Sequence, residues 1–508
     1  MESRGVPSPV LMEDAGREAA RLLERLFPRG EVVVLAGSGN NGGDGVVLAR
    51  TLAARGRPVR LLVLGDRPEP DPLLHGWSLP VRPLGEGVEP GEVAGDLSGA
   101  GVLVDALLGT GIRGAPREPH ARAIQALNRA GAPILALDIP SGVDADTGQV
   151  PGEAVRARVT VAFGAPKLGT MLFPGRERAG RLVAVEIGFP PWGPEPPEAA
   201  LITPGWAAGR RPRRPLVTHK NTEGRLLILA GRSGMAGAAV LGAWGALRAG
   251  AGFVRVASAP ENRVIIQSTV PEAVFLDATD TDALLEAARA SDALAAGPGW
   301  GTGEEDGERL NRLLEEAAPP GILLDADALT LLGAGRLPAF ARAGDRSRRL
   351  LTPHPGEMAR LGESEEGIRD APLTAAREGA RRWRAALLLK GTPSVVAPAG
   401  DDEGEGAGGK GSGPVMVSLT GSSDLARAGM GDVLTGVAGA FLARGAGALE
   451  AGSLALHYTG RAGALAGLGE SLLPRDVAEH LPEALAEEGN GSTDLDLPSL
   501  LLDLDPPR

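Results

Sequence analysis

Short apolar runs alternate with helix-like patterns through the first part of this chain. In the opening segment apolar residues recur at helical spacing, which predicts an amphipathic helix; they are Leu11, Ala15, Ala19, Leu22, Leu23 and Leu26. The apolar runs that follow have the length of buried strands and cover residues 32–35, 59–64, 102–104, 134–137, 159–163 and 182–185. Strands that alternate with helices form βαβ units, so we expect an α/β, doubly wound domain with a largely parallel sheet.

The same alternation restarts after residues 191–219, a stretch rich in proline, glycine and arginine that lacks periodicity. After an initial strand–loop–helix–strand pattern, further strands are predicted at residues 273–276, 293–296, 322–325, 349–352, 386–390 and 415–419, with helices notably at 374–384 and 424–443. A second, larger α/β domain is therefore expected. The predicted organisation is a first domain at residues 1–203, a linker at 204–219, a second domain at 220–486 and an acidic, poorly ordered tail at 487–508.

Two stretches of unusual charge interrupt this pattern. The acidic, glycine-rich insertion at residues 400–414 predicts a mobile hairpin loop between two strands. The linker carries Arg210, Arg211, Arg213 and Arg214. Four basic residues beside prolines define no pocket, so we interpret them as a solvated linker face rather than as a phosphate-binding patch.

Composition narrows the class of protein. The absence of cysteine excludes disulfides, thiol nucleophiles and thiolate metal sites. A net charge of −12 argues against nucleic acid or an anionic membrane as the main partner. The amino-terminal segment has neither a basic nor an apolar signal region, and no apolar run approaches the ~18 residues that span a bilayer. These features are typical of a cytoplasmic enzyme.

A run of glycine and asparagine, AGSGNNGGD at residues 36–44, follows the first predicted strand and opens a helix. Such a loop brings backbone N–H groups close to a ligand at the helix N-terminus. Its glycines are similar to those of a dinucleotide fingerprint, but the two asparagines and Asp44 do not fit, because an acid would repel a pyrophosphate. A more polar site than a phosphate cradle is therefore expected.

Two aspartates stand at the ends of predicted strands. Asp105 opens the segment DALLGTGIRG, and Asp138 opens DIPSGVDADTG. One such aspartate alone is more often a helix cap or a turn former. Two of them, at the sheet edge where ligands of doubly wound folds bind, favour a functional site. Their oxygens, with those of Asn and Ser side chains, suit a hard cation, and an ionised aspartate can also act as a general base.

The motifs GSGNNGGDGVVLAR, VDALLGTGIRG and LDIPSGVDADTG, with LMEDAG in the first helix, resemble the N-terminal domain of the bifunctional NAD(P)H-hydrate repair enzymes. That Rossmann-like domain is the NAD(P)HX epimerase, which interconverts the R and S forms of nicotinamide cofactor hydrated at C6. The resemblance implies that Asp138 is the catalytic acid/base, and that Asn41, Asp105 and Ser141 hold a potassium ion. It also implies cofactor contacts at Asn40, Asn41, Gly42, Gly43, Asp44, Gly109, Thr110, Gly111, Ile112, Arg113, Gly114, Ala115 and Asp138.

Four segments of the second half carry candidate chemistry. LARAGMGDVLTG places two glycines just before Asp432 and a helical run, which favours phosphoryl transfer with Asp432 taking a hydroxyl proton. LLLKGTPSVV puts Lys390 at a strand end, where a cation can meet nucleotide phosphates. AAGPGWG allows close backbone approach at Gly299, and LLTPHPGEM holds His354 between two prolines. A lone lysine is normally surface and a lone histidine structural, so only this shared context makes them candidates.

In order, HKNTEGRLLILAGRSGMAGAAVLGA, GPGWG, TPHPGEM, KGTPSVV and AGMGDVLTG resemble the ribokinase-like NAD(P)HX dehydratase domain of the same family. The resemblance implies that Asp432 is catalytic and that Ala238, Gly299, His354 and Asp432 contact the hydrated cofactor. It implies nucleotide contacts at Lys390, Gly391, Thr392, Pro393, Ser394, Ser422, Ser423, Asp424, Leu425, Ala426, Arg427, Ala428, Gly429, Met430 and Gly431.

The implied activity is repair of NADHX and NADPHX: epimerisation in the first domain, and dehydration of the S form in the second at the expense of ADP or ATP. Phosphorylation of the C6 hydroxyl turns a poor leaving group into a good one. Mg²⁺ at the dehydratase site and a homo-oligomeric assembly are expected with it. The alternative is a ribokinase-like small-molecule kinase with a non-catalytic first domain, which the Asp432 loop alone does not exclude.

Overall fold

The computed structural model describes residues 6–68, 71–85, 90–190, 197–214, 223–400, 413–487 and 494–507. The chain divides into two compact units, one comprising Met1–Pro194 and Ser492–Arg508, the other Glu195–Gly491. Each unit is an α/β structure built on its own sheet. The predicted fold class, two successive α/β domains, is confirmed.

The first unit begins with an amphipathic helix and then alternates strands with helices. Helix α1 buries the predicted apolar positions from Leu11 to Leu23 against α2, while Leu26 is half-buried. The helices are α1 (Ser8–Leu26), α2 (Asn40–Ala54), α3 (Pro90–Leu97), α4 (His120–Arg129) and α5 (Gly175–Ala179). The strands are β1 (Val32–Ala36), β2 (Val59–Leu64), β3 (Val81–Leu84), β4 (Val102–Ala106), β5 (Ile134–Leu137), β6 (Val159–Phe163) and β7 (Arg181–Val185).

These strands pair in parallel in the order β7-β6-β5-β4-β1-β2-β3. Their central members are buried on both faces, which explains why they consist almost entirely of valine, leucine, isoleucine and alanine, with Asp105 near the end of β4 as the exception. Chain order reverses direction in the sheet between β1 and β4. Ligands of doubly wound sheets bind beside such a switch point, at the carboxyl ends of the strands.

The second unit repeats this layering on a larger scale. Its helices are α6 (Pro204–Arg210), α7 (Ala236–Arg248), α8 (Arg263–Thr269), α9 (Thr281–Arg289), α10 (Glu304–Glu316), α11 (Ala326–Gly333), α12 (Pro355–Arg360), α13 (Glu365–Asp370), α14 (Pro372–Trp383), α15 (Met430–Ala443), α16 (Ala448–Ala466) and α17 (Pro474–Ala486). Its strands are β8 (Ala199–Leu201), β9 (Arg225–Leu229), β10 (Phe253–Ser258), β11 (Val274–Asp277), β12 (Ala293–Ala296), β13 (Gly321–Leu324), β14 (Arg349–Leu351), β15 (Ala386–Leu389), β16 (Val395–Ala397) and β17 (Val415–Val417).

The second sheet has the order β11-β10-β9-β12-β13-β14-β15-β16-β17-β8. Strands from β11 to β15 pair in parallel, and β16 is antiparallel to both neighbours. Helices α7 and α15 pack closely together over its central strands, at an interface made of glycine and alanine. A Cβ atom on Gly436 would lie 2.0 Å from the carbonyl oxygen of Gly242, so this close approach needs glycine.

Two predicted boundaries are wrong. Residues 195–203 were assigned to the first domain, but β8 pairs with β17 of the second sheet. Residues 204–219 were assigned to a linker, but α6 occupies 204–210, with Ala207 in the core of the second unit. Strands β16 and β17 do form the expected hairpin, although most of its predicted mobile loop, residues 401–412, lies outside the described residues.

The predicted poorly ordered tail is also wrong for residues 494–507. Strand β18 (Leu500–Leu504) returns to the first sheet and pairs antiparallel with β7. Arg181 on β7 binds Asp503 through two hydrogen bonds, of 2.8 and 2.6 Å. The acidic residues that suggested disorder are therefore partners of a basic residue at the sheet edge. Among the residues placed in the structure, no helix combines the length and the apolar character that a membrane span requires.

Candidate active sites

The loop between β1 and α2 has glycines whose first role is packing. A Cβ atom on Gly42 would lie 1.9 Å from the carbonyl oxygen of Gly37, and one on Gly43 would lie 2.5 Å from the sulfur of Met12. Both glycines are buried, whereas Asn40 is exposed. Packing against the protein's own chain therefore accounts for glycine at these two positions, and their predicted contacts with the cofactor stay predictions.

Asn41, Asp105 and Ser141 converge on a buried, oxygen-rich cluster beside Leu108. The Ser141 hydroxyl donates to Asp105 Oδ1 at 2.6 Å, and the Ser141 backbone N–H donates to Oδ2 at 2.8 Å. Asn41 Nδ2 donates to the Leu108 carbonyl oxygen at 2.9 Å. Burial raises the pKa of Asp105 to about 6, against the hydrogen bonds from Ser141 that lower it. The three residues predicted to share a cation thus lie together, contributed by α2, β4 and the loop after β5.

One oxygen of this cluster lacks a hydrogen-bond donor. Asn41 is 7% exposed, and within the described part of the chain its buried Oδ1 accepts no hydrogen bond. Because Nδ2 is held by the Leu108 carbonyl, the amide is fixed with its oxygen available. Buried polar atoms nearly always have partners, so this one indicates a site for an electropositive ligand.

Asp138 follows β5 directly, with a φ of 64° that non-glycine residues rarely adopt. Its Oδ1 accepts a hydrogen bond from the Phe163 backbone N–H at 3.1 Å and forms an ion pair with Lys167. Lys167 Nζ also donates to the carbonyl oxygens of Phe163 and Ala165, at 3.2 and 3.3 Å. Such backbone strain persists only where surrounding contacts enforce it, and it clusters at functional sites.

Asp44 lies close enough to this pair to sense both charges. Burial, and secondarily the negative charge of Asp138, raise the pKa of Asp44 to about 8, although Lys167 opposes them. Asp44 is therefore mostly protonated at neutral pH and can donate a hydrogen bond. This removes the objection, drawn from the sequence, that an acid at this position would repel a phosphate-bearing cofactor.

The predicted cofactor loop at residues 109–115 starts beside the cluster and then becomes exposed. A Cβ atom on Gly109 would lie 3.1 Å from the Asn41 Cβ, so the loop begins in contact with α2. Arg113 is exposed and pairs with Asp146 at 2.6 Å and with Asp144 at 3.4 Å. The remaining residues are Thr110, Gly111, Ile112, Gly114 and Ala115, of which all but the half-buried Ile112 are exposed.

In the second unit, α15 begins directly after Gly429. The φ of Gly429 is 91°, and a Cβ atom there would lie 2.9 Å from Leu241 Cδ1, so conformation and packing both require glycine. Asp432 lies in the first turn of α15. Backbone N–H groups in a first helical turn lack intrahelical partners and favour anions. A Cβ atom on Gly431 would lie 3.7 Å from Lys390 Nζ, which brings this turn next to a cation.

Asp325 joins two side chains of the candidate dehydratase site, Lys390 and Thr435, through hydrogen bonds. It follows β13, is 2% exposed, and accepts hydrogen bonds from Lys390 Nζ at 2.7 Å and from Thr435 Oγ1 at 2.6 Å. Lys390 Nζ also lies 3.7 Å from Glu357 Oε2. Burial lowers the pKa of Lys390, but the charges of Asp325 and Glu357 more than offset this and raise it above 10.5. Lys390 therefore carries a stable positive charge.

The pKa of Asp432 is raised to about 6, first by burial and then by the negative charge of Asp325, with Lys390 opposing. At neutral pH Asp432 is mostly ionised, yet it is a stronger base than an exposed aspartate. A base is most effective when its pKa lies near the working pH. The surroundings of Asp432 thus favour its predicted role as a general base.

His354 has the capping role that a single histidine most often has. Its Nδ1 accepts hydrogen bonds from the backbone N–H groups of Gly356 at 3.0 Å and Glu357 at 3.3 Å, at the start of α12. The His354 backbone N–H donates in return to Glu357 Oε2 at 2.8 Å. The imidazole side chain is 52% exposed, so ring surface is left for a ligand. The predicted cofactor contact is compatible with the cap.

Ala238 and Gly299 both lie near the N-terminus of α7. Ala238 lies in the first turn of this helix, which Met235 precedes as cap residue. A Cβ atom on Gly299 would lie 3.1 Å from the terminal methyl of Met235, and the φ of Gly299 is 57°. The Gly299 carbonyl oxygen accepts a hydrogen bond from the Arg232 N–H at 2.5 Å.

Several of the predicted nucleotide contacts are engaged in local structure. Ser394 Oγ accepts from the Gly391 N–H at 3.1 Å and closes the turn that contains Thr392 and Pro393. Ser422 caps a short 3-10 turn at Ser423–Leu425. Arg427 donates to the carbonyl oxygen of Glu470 at 2.6 Å. The nucleotide contacts predicted for residues 391–394, for residues 422–428 and for Met430 stay predictions.

Sequence reasoning missed three charged residues of these sites. Asp325 ends a predicted strand, the same signal that singled out Asp105 and Asp138, so it could have been found. Glu357 stands in the quoted motif TPHPGEM, three residues after His354. Lys167 gives no local signal, because its role depends on the ion pair with Asp138.

The comparisons with known proteins divide the chain as the structure does. Residues 8–169 match the family described as YjeF-related protein N-terminus, and residues 226–483 match the family described as NAD(P)H-hydrate dehydratase. The fold and both sites therefore define a two-domain α/β protein that joins these two modules in one chain.

Two relatives carry the name bifunctional NAD(P)H-hydrate repair enzyme Nnr and match over nearly the full length. The protein from Moorella thermoacetica is 36% identical over 487 residues, covering 90% of this chain and 88% of the relative. The protein from Pyrobaculum aerophilum is 36% identical over 503 residues, covering 95% and 94%. The crystal structure of the ADP/ATP-dependent NAD(P)H-hydrate dehydratase from Bacillus subtilis covers 56% of this chain at 27% identity, with a TM-score of 0.47. The chain belongs to the family of bifunctional NAD(P)H-hydrate repair enzymes.

Proposed function

We propose that this protein restores hydrated nicotinamide cofactors by two reactions at two separate sites. The second unit dehydrates S-NAD(P)HX with ADP or ATP, and the first interconverts the R and S forms so that both can be repaired. The observation that carries the proposal is the placement of Asp432, a half-buried carboxylate with a raised pKa, in the first turn of α15 beside the Lys390 ammonium. Family membership supports it independently.

In the dehydratase reaction, Asp432 takes the proton of the C6 hydroxyl while that oxygen attacks the terminal phosphorus of the nucleotide. The bond to the departing nucleotide oxygen breaks, which releases AMP from ADP or ADP from ATP. Lys390 and the positive N-terminal end of the α15 dipole stabilise the transferring phosphoryl group. The C6 phosphate then leaves as a C5 proton is lost, which restores the dihydronicotinamide ring.

In the epimerase reaction, the two carboxyl groups beside Lys167 have complementary roles. Asp138 is held by Lys167 and the Phe163 N–H and serves as the acid/base at C6. Asp44, mostly protonated at neutral pH, donates to the hydrated cofactor. Positioning by Lys167 belongs to the same proposal, since this side chain fixes the Asp138 carboxylate.

A potassium ion fits the first site. The available Asn41 Oδ1, with the oxygens of Asp105 and Ser141, supplies the hard ligands that such a cation prefers. We propose that these three residues hold K⁺, which when bound adds positive charge beside the cofactor loop. At the second site we propose that Mg²⁺ enters with the nucleotide phosphates, because this ion usually binds through substrate phosphates and one or two carboxylates.

The proposal is tested by incubating the protein with mixed R- and S-NADHX and either ADP or ATP. We expect the dihydronicotinamide absorbance to return completely with at least one nucleotide, with one phosphate released per cofactor. No return with either nucleotide would refute dehydration and restore the small-molecule kinase as the better hypothesis. The expected homo-oligomeric state and cytoplasmic location are predictions that light scattering and cell fractionation test.

A further inference from the structure

The arginines of the predicted linker gather around a cavity in the second unit. The cavity has a volume of about 300 Å³ and is lined by Arg211, Arg213, Arg214 and Arg444, together with Ala249 and Gly250. Arg210, the remaining basic residue of the segment, pairs instead with Glu450 at 2.9 Å. The prediction that these arginines define no pocket is therefore wrong for the residues that line the cavity, although Arg213 and Arg214 are exposed, as a solvated face requires.

This cavity lies where two helices end. Ala249 and Arg444 are the C-cap residues of α7 and α15. Both helices carry candidate dehydratase residues in their first turns, Ala238 and Asp432, so the cavity lies at the opposite ends of the same helices. Helix α15 has 14 residues, which places its two ends ~20 Å apart. The cavity is thus distinct from the dehydratase site.

Two of the four arginines have structural partners that account for their position. Arg444 donates to the carbonyl oxygens of Pro212 at 2.7 Å and Ala249 at 3.4 Å. Arg214 donates to the Gly250 carbonyl oxygen at 3.3 Å and pairs with Glu223 at 3.3 Å. Cations at helix C-termini commonly satisfy the last carbonyl groups in this way. Helix capping therefore explains Arg214 and Arg444.

Capping does not explain the other two arginines. Within the described ranges, Arg211 Nε is buried without a hydrogen-bond partner. Arg213 lines the same cavity and is exposed. The acidic residues nearby are engaged: Glu223 pairs with Arg214, and Glu487 pairs with Arg461 at 2.6 Å. Burial first, and then the charge of Arg214, lower the pKa of Arg444, while Glu223 opposes them and Arg211 adds a smaller contribution in the same direction as Arg214.

We propose that this cavity binds a phosphate-bearing anion at a site separate from the dehydratase centre. Guanidinium groups match phosphate oxygens in pairs, and several of them around one concavity concentrate an anion. The volume accommodates an anion of at least pyrophosphate size. Arg211 and Arg213 are the residues whose donors such an anion would satisfy, while Arg214 and Arg444 shape the cavity.

The test measures pyrophosphate binding to the full chain by isothermal titration calorimetry, at constant ionic strength and with the dehydratase site saturated by a non-hydrolysable ATP analogue. We expect one saturable site whose Kd is weakened at least tenfold in the Arg211→Gln/Arg213→Gln variant. The control is Arg289→Gln, an exposed arginine in the last turn of α9, which should bind as the parent does. The Arg211→Lys/Arg213→Lys variant keeps the charge and should bind between the two.

Dehydratase turnover of each variant shows whether the second unit is folded, because neither arginine lies in that site. Saturable binding lost in the glutamine pair and partly kept in the lysine pair supports the proposal. Absence of saturable binding in the parent, or equal binding in parent and glutamine pair, overturns it. Failure of the dehydratase assay in the parent would count against the proposed function and leave the binding comparison unaffected.

Discussion

Replacing Asp325 by asparagine tests how the dehydratase site sets the basicity of Asp432. Asp325 holds Lys390 and Thr435 and is the second cause, after burial, of the raised pKa of Asp432. Asparagine has nearly the same shape and keeps one accepting oxygen, but it removes the negative charge. We therefore expect the Asp432 pKa to fall and Lys390 to lose its principal counter-ion.

The size of the effect on pH dependence follows from the order of the causes. The Asp432 pKa rises from an ordinary 3.8 to about 6, and burial is the larger cause. Asp325 is the second cause, and removal of one nearby charge typically shifts a carboxyl pKa by ~1 unit or more, so the acid limb of kcat/KM should move from near pH 6 to about pH 5. Because a weaker base and a less well held Lys390 both act on the transition state, turnover on the plateau should also fall.

The loss in the free energy of unfolding caused by Asp325→Asn is limited, because Lys390 keeps other partners. Removing one member of a buried ion pair costs ~3–5 kcal/mol. Lys390 retains Glu357 at 3.7 Å, its side chain is 20% exposed, and the new amide oxygen still accepts a hydrogen bond. The free energy of unfolding of the second unit should therefore fall by less, about 2 kcal/mol.

The assay is the pH profile of cofactor restoration with saturating nucleotide, alongside urea unfolding of the same samples. Asp327→Asn is the matched control, because this neighbouring carboxylate accepts from the Gly301 N–H at 2.9 Å and belongs to the same helix start. Its acid limb should stay near pH 6. An unchanged acid limb in Asp325→Asn would show that Asp325 does not act on Asp432, or that the limb belongs to another group.

Three further predictions concern the epimerase site. Asp138→Asn should abolish conversion of R- to S-NADHX, measured by chromatography, and leave dehydration of the S form intact; equal loss of both activities would contradict two separate sites. Epimerisation should decline as pH rises through about 8, where Asp44 loses its proton. Asp44→Asn keeps a hydrogen-bond donor at every pH, so its pH profile should lack this basic limb. A basic limb that persists in Asp44→Asn would show that another group causes the decline. K⁺ should raise the melting temperature relative to choline, and Ser141→Ala should reduce that gain; an equal gain in both proteins would exclude Ser141 as a ligand.

Most strands of both sheets could be predicted from the sequence, because parallel strands buried on both faces are unbroken apolar runs. The bounds of β2, β5 and β6 agree with those predicted. Strands β3 and β18 were missed for physical reasons. β3 is an edge strand with mostly exposed residues and a proline, and β18 stands in an acidic segment in which Asp494 and Asp503 pair with Arg181. Long-range pairing of this kind leaves no local periodicity.

The candidate sites could be predicted where a residue type coincides with a position in the fold. Asp105 and Asp138 were found because they end strands, and Asp325 obeys the same rule in the second sheet. Protonation could not be predicted, because it depends on burial that residue identity does not reveal. Asp44 is mostly protonated at neutral pH whereas Asp432 is mostly ionised, although both stand near the starts of glycine-rich helices.

The linker arginines show where local reasoning about charge fails. Counted along the chain, Arg211, Arg213 and Arg214 stand beside prolines, and the absence of periodicity favours a solvated face. Arg444 donates to the Pro212 carbonyl oxygen from 232 positions away, so the fourth arginine that lines the cavity comes from the end of α15. A basic cluster becomes a binding site only when folding surrounds it with a concave surface and leaves donors without partners. In this protein those conditions meet at the ends of the helices that begin at the dehydratase site, and binding there would act on elements that the catalytic residues share.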